Sequence, residues 1–340
     1  MSVSAIVPVW NGRALLERLF DSLDRQTEPP AEILAVDNGS TDGAPEAAAR
    51  RGARVIPMGG NTGFAPAVNR GIRESRGEWL AVLNSDVELA PDYFAALLAA
   101  ARANGAWFAT GKILASGAGQ RIDGTFDVLC RGGTAWRVGS GRADGPVFSS
   151  EQRIWSAPWT AALFRAELFQ RVGLLEEAFE SYLEDVDFGL RCARAGCSGV
   201  YAPAAVARHA GSAALGRWHG ETVRRIARNQ VWLVARYYPG RWWWNVLVAH
   251  GLWGAVAMRH GAAIPWVRGK LEAVRGLRRV GQAVSPVQGG KTGETAYPTS
   301  AQDIHAVVRA GEKTIREIQS VTGFDSYWRM YFLLTGGGAK

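Results

Sequence analysis

Cysteine is nearly absent from this chain, with Cys130, Cys192 and Cys197 the only three in 340 residues. Their spacing gives neither a metal-ligand pattern nor an even disulfide framework, and a low, odd count suits a reducing cytosol. Acid is scarce in one region: from 217 to 279 the basic residues greatly outnumber Glu221 and Glu272. Long apolar runs are missing too. The charge-free stretch 242–258 has 17 residues, short of the ~20 that span a bilayer, and Asn245, His250 and several small residues interrupt it. No basic, glycine-rich phosphate loop follows the first apolar run, where Val7-Pro8-Val9-Trp10-Asn11-Gly12 stands instead; this counts against a nucleotidyltransferase. No repeat is visible. The chain enters an apolar strand at Val3, so no signal peptide is expected.

What is present is a core-forming composition, with 47% hydrophobic and 21% charged residues, which excludes disorder for most of the chain. The net charge is +8, and six of fourteen tryptophans fall between Trp232 and Trp266. Tryptophan beside arginine points to an anionic membrane surface, and no nucleic-acid signature accompanies it. Helices over 231–279 are therefore expected to lie on the cytoplasmic leaflet. The plain alternative is a packed helical subdomain or a homo-oligomer interface.

The first hundred residues alternate strand and helix. Strands are expected at 3–9, 33–36, 53–57 and 79–83, and helices at 14–24, 45–51, 66–75 and 91–102. Repeated βα units imply a parallel sheet with right-handed crossovers. Residues 111–145 read as glycine-rich loops with an antiparallel extension. Helices follow at 166–172 and from about 185 to 195, with short strands at 198–201 and 206–209. The remainder reads as a helical region to 280, a Gly/Pro/Thr/Ser linker at 281–300, a surface helix at 301–320 and an aromatic tail at 327–334.

Five segments carry chemistry. Trp79 to Leu83 is apolar without alternation, the mark of a central strand covered on both faces. It ends in Asn84-Ser85-Asp86, and ligands of open α/β sheets bind beyond such strand ends. Hard divalent cations take carboxylate oxygens there and share them with phosphates; the plain reading is an Asx turn. Asp37, ending the second strand, can accept hydrogen bonds from a base or ribose, or simply form a turn. Asn61-Thr62-Gly63 opens a helix whose start favours anions, with Arg70 one or two turns on. Glu184, Asp185 and Asp187 crowd a helix start. Asp187 and Arg191 are spaced to pair, which leaves Glu184 and Asp185 to face a cleft where a carboxylate can deprotonate a hydroxyl. His209 ends a strand and can ligate a metal or hold a phosphate.

Taken in order, VDNGSTDG (36–43), NTGFAPAVNRGI (61–72), EWLAVLNSDVELAPDYF (78–94), YLEDVDFGLRCARAG (182–196) and the His209 segment resemble the family 2 inverting glycosyltransferases, nearest the rhamnosyltransferase-like enzymes of bacterial surface polysaccharides. The similarity runs from about residue 3 to 235. It implies an α/β GT-A fold, a Rossmann-like, mostly parallel sheet flanked by helices. Residues 1–110 would be the nucleotide-binding half and 111–220 the acceptor half, followed by a helical extension.

The resemblance further implies that Pro8, Asn11, Asp37, Asn61, Gly63, Arg70, Asn84 and Ser85 line the nucleotide-sugar pocket. Asp86 and His209 would hold Mg2+ or Mn2+ on the diphosphate. Asp185 would be the base with Glu184 beside it, and Trp159 and Thr160 would form the acceptor floor. Asn84 stands where the family often has Asp, which removes one negative charge from the metal site. The implied partners are a nucleotide-sugar donor and a glycan or lipid-linked acceptor. A non-catalytic nucleotide-sugar binder is the rival reading.

Overall fold

A computed structural model describes residues 2–117, 121–211, 218–281 and 303–336. In chain order the elements are β1 (Val3–Val9), α1 (Arg13–Asp24), β2 (Glu32–Asp37), α2 (Ala44–Arg50), β3 (Arg54–Pro57), α3 (Phe64–Glu74), β4 (Trp79–Leu83), β5 (Val87–Leu89), α4 (Tyr93–Ala103), β6 (Phe108–Ala115) and β7 (Ile122–Gly124). A hairpin of β8 (Asp127–Leu129) and β9 (Ala135–Arg137) follows, then β10 (Gln152–Ile154), β11 (Ala161–Arg165), α5 (Ala166–Val172), α6 (Glu184–Arg194) and β12 (Gly199–His209). The remaining helices are α7 (Gly220–Tyr237), α8 (Trp243–Arg259), α9 (Ala263–Gly281), α10 (Ile304–Thr322) and α11 (Ser326–Leu334). The expected linker at 281–300 falls, beyond Gly281, outside the described residues.

Two compact units result. One holds the large sheet and its helices; the other holds residues 128–138 and the helices from α7 onward.

In the sheet unit the strand order is β10-β12-β6-β11-β4-β1-β2-β3. The four strands β3, β2, β1 and β4 are parallel, as the βα alternation predicts. From β4 outward the sheet is mixed: β11 runs antiparallel to both β4 and β6, and β12 lies parallel to β6. All five residues of β4 are buried, and helices α1 and α4 pack their apolar faces into the same core.

In the middle of the chain the structure departs from the sequence expectation at two places. The glycine-rich stretch begins inside a strand, since β6 runs through Gly111 and is buried nearly throughout. The two short strands expected around Pro203 are one strand, β12, with a register shift between Ala202 and Val206. Proline lacks a ladder donor and is tolerated at such an irregularity, so local sequence reads as a break where the sheet continues.

In the helical unit, α7 and α9 pack closely because α9 presents small residues. A Cβ on Gly269 would lie 2.2 Å from the Arg224 carbonyl, and one on Gly276 would lie 2.6 Å from the Trp232 ring. The Trp232 indole donates to the Ala273 carbonyl at 3.0 Å. Arg228, 2% exposed, reaches Glu272 at 2.9 Å and stacks on Trp232. Burial works against the Glu272 carboxylate, but hydrogen bonds from Arg224 and Arg228 outweigh it and hold its pKa below the ordinary value. The residues around β8 and β9 tie into α10 and α11 through Glu312. Its carboxylate accepts from the Arg131 backbone N–H at 3.0 Å, the Arg131 side chain at 2.7 Å and the Tyr331 hydroxyl at 2.6 Å. Among the described residues no helix is long and apolar enough to cross a membrane.

Candidate active site

The chain leaves β4 at Leu83 and turns through Asn84, Ser85 and Asp86 into β5, which pairs antiparallel with the end of β12 so that Val87 faces His209. The Ala210 N–H donates to the Asp86 carbonyl at 3.0 Å. This pairing brings together side chains far apart in sequence. Asp86 Oδ1 lies 3.1 Å from His209 Nε2, and the Asn84 amide nitrogen lies 3.4 Å from the same ring atom. The other ring nitrogen, Nδ1, is 2.9 Å from Asp123 Oδ2 on β7. Burial alone would depress the imidazolium, but hydrogen bonds to Asp123 and Asp86 reverse this and raise its pKa to about 9. A carboxylate on one imidazole nitrogen fixes the ring and its tautomer, and so aims the other nitrogen at a ligand. The sequence reading missed Asp123. It lies in the glycine-rich region, and only its tertiary partner marks it.

The Glu184-Asp185 pair is presented by an unusual loop. Glu180, Tyr182 and Leu183 have φ of 59°, 72° and 66°, a left-handed conformation that is costly for such residues and clusters at functional sites. The loop is held against the start of α3, where the Ala65 N–H donates to the Glu180 carbonyl at 2.9 Å and the Phe64 N–H to Ser181 Oγ at 3.3 Å. Gly63, at φ 96°, makes this possible, since a Cβ there would stand 3.1 Å from the Glu180 oxygen. The helix start expected to receive an anion thus receives a protein loop. Glu184 and Asp185 open α6 and are largely buried, and Asp185 Oδ1 accepts the Val186 N–H at 2.8 Å. Asp187 pairs with Arg191 at 3.0 Å, as their spacing predicts.

Residues 155–160 connect the two motifs. At one end Ser156 Oγ donates to the Asp185 carbonyl at 3.4 Å; at the other the Thr160 carbonyl accepts the Asn84 N–H at 2.8 Å. Gly189 of α6 lets this segment approach, because a Cβ there would meet the Trp155 carbonyl at 2.7 Å. Trp159, which the resemblance assigns to the acceptor floor, is enclosed. It is 2% exposed, with its ring centroid 4.4 Å from Phe164 and 5.1 Å from Phe188, and it supports α6 from the core. Thr160 is buried as well.

At the ends of β1, β2 and β3 the loops are knitted together. Pro8, partly buried, lies opposite Val36. The Asn11 N–H donates to Ser40 Oγ at 2.9 Å, and its side-chain oxygen accepts the Thr41 N–H at 2.9 Å. Asp37 accepts the Ser40 N–H at 2.9 Å, and Asn61 accepts the Gly63 N–H at 3.1 Å. Asn38 is a second residue the sequence reading passed over. Buried, it donates to the Gly63 carbonyl at 2.9 Å and accepts from both the Thr62 N–H and hydroxyl. Arg70 is set apart: it is exposed and paired with Glu74 of its own helix at 2.9 Å.

Comparison with known proteins completes the picture. Residues 4–173 match the family model of glycosyl transferase family 2. The chain is 31% identical over 268 residues to an N-acetylglucosaminyl-diphospho-decaprenol L-rhamnosyltransferase of Mycobacterium tuberculosis, covering 72% of this chain and 87% of that protein. A shorter match, 32% over 117 residues and a third of each chain, is to a dolichol-phosphate mannosyltransferase of Pyrococcus furiosus. Among solved structures, the crystal structure of GalNAc-T7 with UDP, GalNAc and Mn2+ superposes with a TM-score of 0.60 at 16% identity, covering 74% of this chain but only 51% of that one. The superposition bears on the fold alone and agrees with the expected GT-A architecture. The ordered motifs, the mixed sheet and these matches lead to one conclusion: the chain is a glycosyltransferase and belongs to glycosyl transferase family 2, in its rhamnosyltransferase-like branch.

Proposed function

We propose that this enzyme transfers a sugar, with inversion, from dTDP-rhamnose or a UDP-hexose to a hydroxyl of a glycan or lipid-linked acceptor. The setting is bacterial cell-surface polysaccharide synthesis, at the cytoplasmic face of the membrane. The observation that carries the reading is the Asp86–His209–Asp123 cluster at the end of β4, joined through residues 155–160 to the helix start that bears Asp185. The mycobacterial relative, an N-acetylglucosaminyl-diphospho-decaprenol L-rhamnosyltransferase, favours a rhamnosyl donor and a lipid diphosphate acceptor.

The cluster suits a divalent cation. Asp86 Oδ1 and His209 Nε2 lie 3.1 Å apart as adjacent donors, and Asp123 fixes the ring from behind. Among the described residues no three His, Cys, Asp or Glu side chains stand ready to hold a cation. Two protein donors fit Mg2+ or Mn2+, which keep water and substrate phosphate oxygens as their other ligands. Bound there, the cation would balance the charge that develops on the leaving diphosphate. Asn84, neutral beside His209, keeps the site one charge less negative than an aspartate would.

Asp185 takes the proton from the acceptor hydroxyl as it attacks the anomeric carbon from the face opposite the diphosphate. A single displacement inverts that carbon. Glu184, its neighbour, shapes the field around the base. Pro8, Asn11, Asp37 and Asn61 hold the nucleotide at the ends of β1 to β3, and Ser85 lies in the turn that faces the diphosphate. The test is a thermal-shift and transfer screen of dTDP-rhamnose, UDP-glucose, UDP-galactose and UDP-galactofuranose with Mg2+ or Mn2+. Stabilisation by one donor, with release of its nucleotide diphosphate on adding a polyprenyl-diphosphate glycan, is the expected result. A protein indifferent to all of them would sink the reading.

A further inference from the structure

The helical unit carries an apolar stripe that the described residues leave uncovered. On α9, Ile264 is 67% exposed, Val267 46%, Leu271 56% and Val274 64%. Their spacing of three, four and three residues puts them on one line of the helix, about 15 Å long at 1.5 Å per residue. The opposite face is the one packed on α7 through Gly269, Ala273 and Gly276. A soluble amphipathic helix buries its apolar line and exposes its polar one. Here a second apolar line faces outward.

Charge decides what covers it. Arg268 and Arg275, both exposed, flank the stripe one heptad apart. The only acid of α9, Glu272, is engaged by Arg224 and Arg228 of α7. α8 contains no acid at all, and it ends in exposed Met258 and Arg259. Two copies meeting antiparallel along the stripe would set Arg268 against Arg275, a repulsive pairing at positions where helix dimers place opposite charges. An anionic bilayer offers what a second copy does not: apolar depth for the stripe and negative headgroups for its arginines.

We infer that α9 is a membrane-docking helix, lying in the plane of an anionic leaflet with Ile264, Val267, Leu271 and Val274 inserted and Arg268 and Arg275 at the headgroups. This deepens the proposed function, resting on its lipid-linked acceptor, by naming the surface that brings the enzyme to the membrane.

The test uses the full chain. Cys130, Cys192 and Cys197 are all buried, so an environment-sensitive dye can be placed selectively on Leu271→Cys, with Lys313→Cys, at an exposed position of α10, as control. Vesicles of phosphatidylglycerol and phosphatidylcholine should blue-shift the dye at 271 and not at 313, and pure phosphatidylcholine should do so much less. In flotation, Val267→Ser with Leu271→Ser, or Arg268→Glu with Arg275→Glu, should lower binding roughly tenfold or more, each basic residue near an anionic surface adding about a kcal/mol. No shift at 271 with anionic vesicles overturns the inference. So does a dimer in light scattering that the Val267/Leu271 variant splits while vesicle binding persists. Binding of dTDP and UDP with Mn2+, measured by calorimetry without vesicles, should be the same in these variants. Its absence from the wild type would undo the functional reading while leaving the docking result to stand alone.

Discussion

The two units place their polar groups differently. In the helical unit such groups engage one another: Arg228 with Glu272, Glu312 with Arg131 and Tyr331, and Thr134 with Tyr327. These contacts hold helices together. In the sheet unit Asp86, His209, Glu184 and Asp185 stand at strand and helix termini, just past the end of β4, at the end of β12 and at the start of α6, and His209 pairs there with Asp86 and Asp123. Apolar exposure is reversed. Among the described residues every large exposed hydrophobic except Trp10 belongs to the helical unit, including Trp243, Leu247 and Leu333. One unit has its chemistry at the ends of its strands, and the other has its unsatisfied surface outside. Reactive polar groups need a rigid scaffold to aim them, whereas an attachment surface needs only area and charge.

The sharpest way to break this contrast is Asp185→Asn. Removal of a general base costs about 10²–10⁴-fold, so turnover should fall by that much while nucleotide affinity, read by calorimetry, stays near that of the wild type. Near-normal transfer would show that the Glu184-Asp185 helix start is only structural. Asp86→Ala should weaken donor binding by at least roughly tenfold to a hundredfold with Mg2+ present and little without it, since losing even an outer partner of a metal ligand costs that much. Asp123→Asn should act more weakly on the same metal-dependent step. It should also lower the His209 pKa from about 9, read by NMR of the imidazole; a role confined to packing would leave that titration in place. In the helical unit, Glu272→Gln should leave chemistry untouched. It strands Arg228 with one fewer partner and should cost about 2 kcal/mol of stability, below the 3–5 typical of fully buried pairs because Glu272 is partly exposed.

The units should also answer pH in opposite senses. In cation-free protein His209 has its pKa raised from 6.5 to about 9. The folded state then binds more protons across that window, and the sheet unit loses this stability as pH rises through about 9. Lys270, partly buried beside His250 at 3.0 Å, has its pKa pushed by burial from 10.5 down to about 7. Here the unfolded state binds more protons from about 7 to 10.5, so the helical unit gains stability as pH rises. Hydrogen exchange resolved by segment and corrected for intrinsic rates, from pH 6.5 to 9, should show protection falling around β12 and rising around α9. Parallel drift of the two would erase the contrast.

Much of the sheet unit was legible beforehand because its signals are local. Continuous apolar runs gave β1 and β4, 3.6-residue spacing gave α1, and the i,i+4 spacing of Asp187 and Arg191 gave their ion pair. Legibility failed where a side chain's meaning depends on its neighbours. Asp123 is one carboxylate among glycines until β7 brings it to His209. Trp159 carries no local signal of the Phe164 and Phe188 rings that enclose it. Arg70 reads as a base or phosphate contact, and its pairing with Glu74 of the same helix shows only in the structure. The helical unit was legible in composition, but which side of α9 would face outward depended on the packing of α7.

From its order of residues alone, this chain specified a parallel βα beginning, a family likeness and the identity of Asp86, Asp185 and His209 as the groups to watch, because periodicity and short motifs are written in consecutive positions. Only the tertiary structure set Asp123 behind His209, strained residues 180–183 against α3 and left one line of α9 uncovered. Those outcomes come from strand pairing and helix packing between distant segments, and a linear pattern does not encode which of its surfaces will meet.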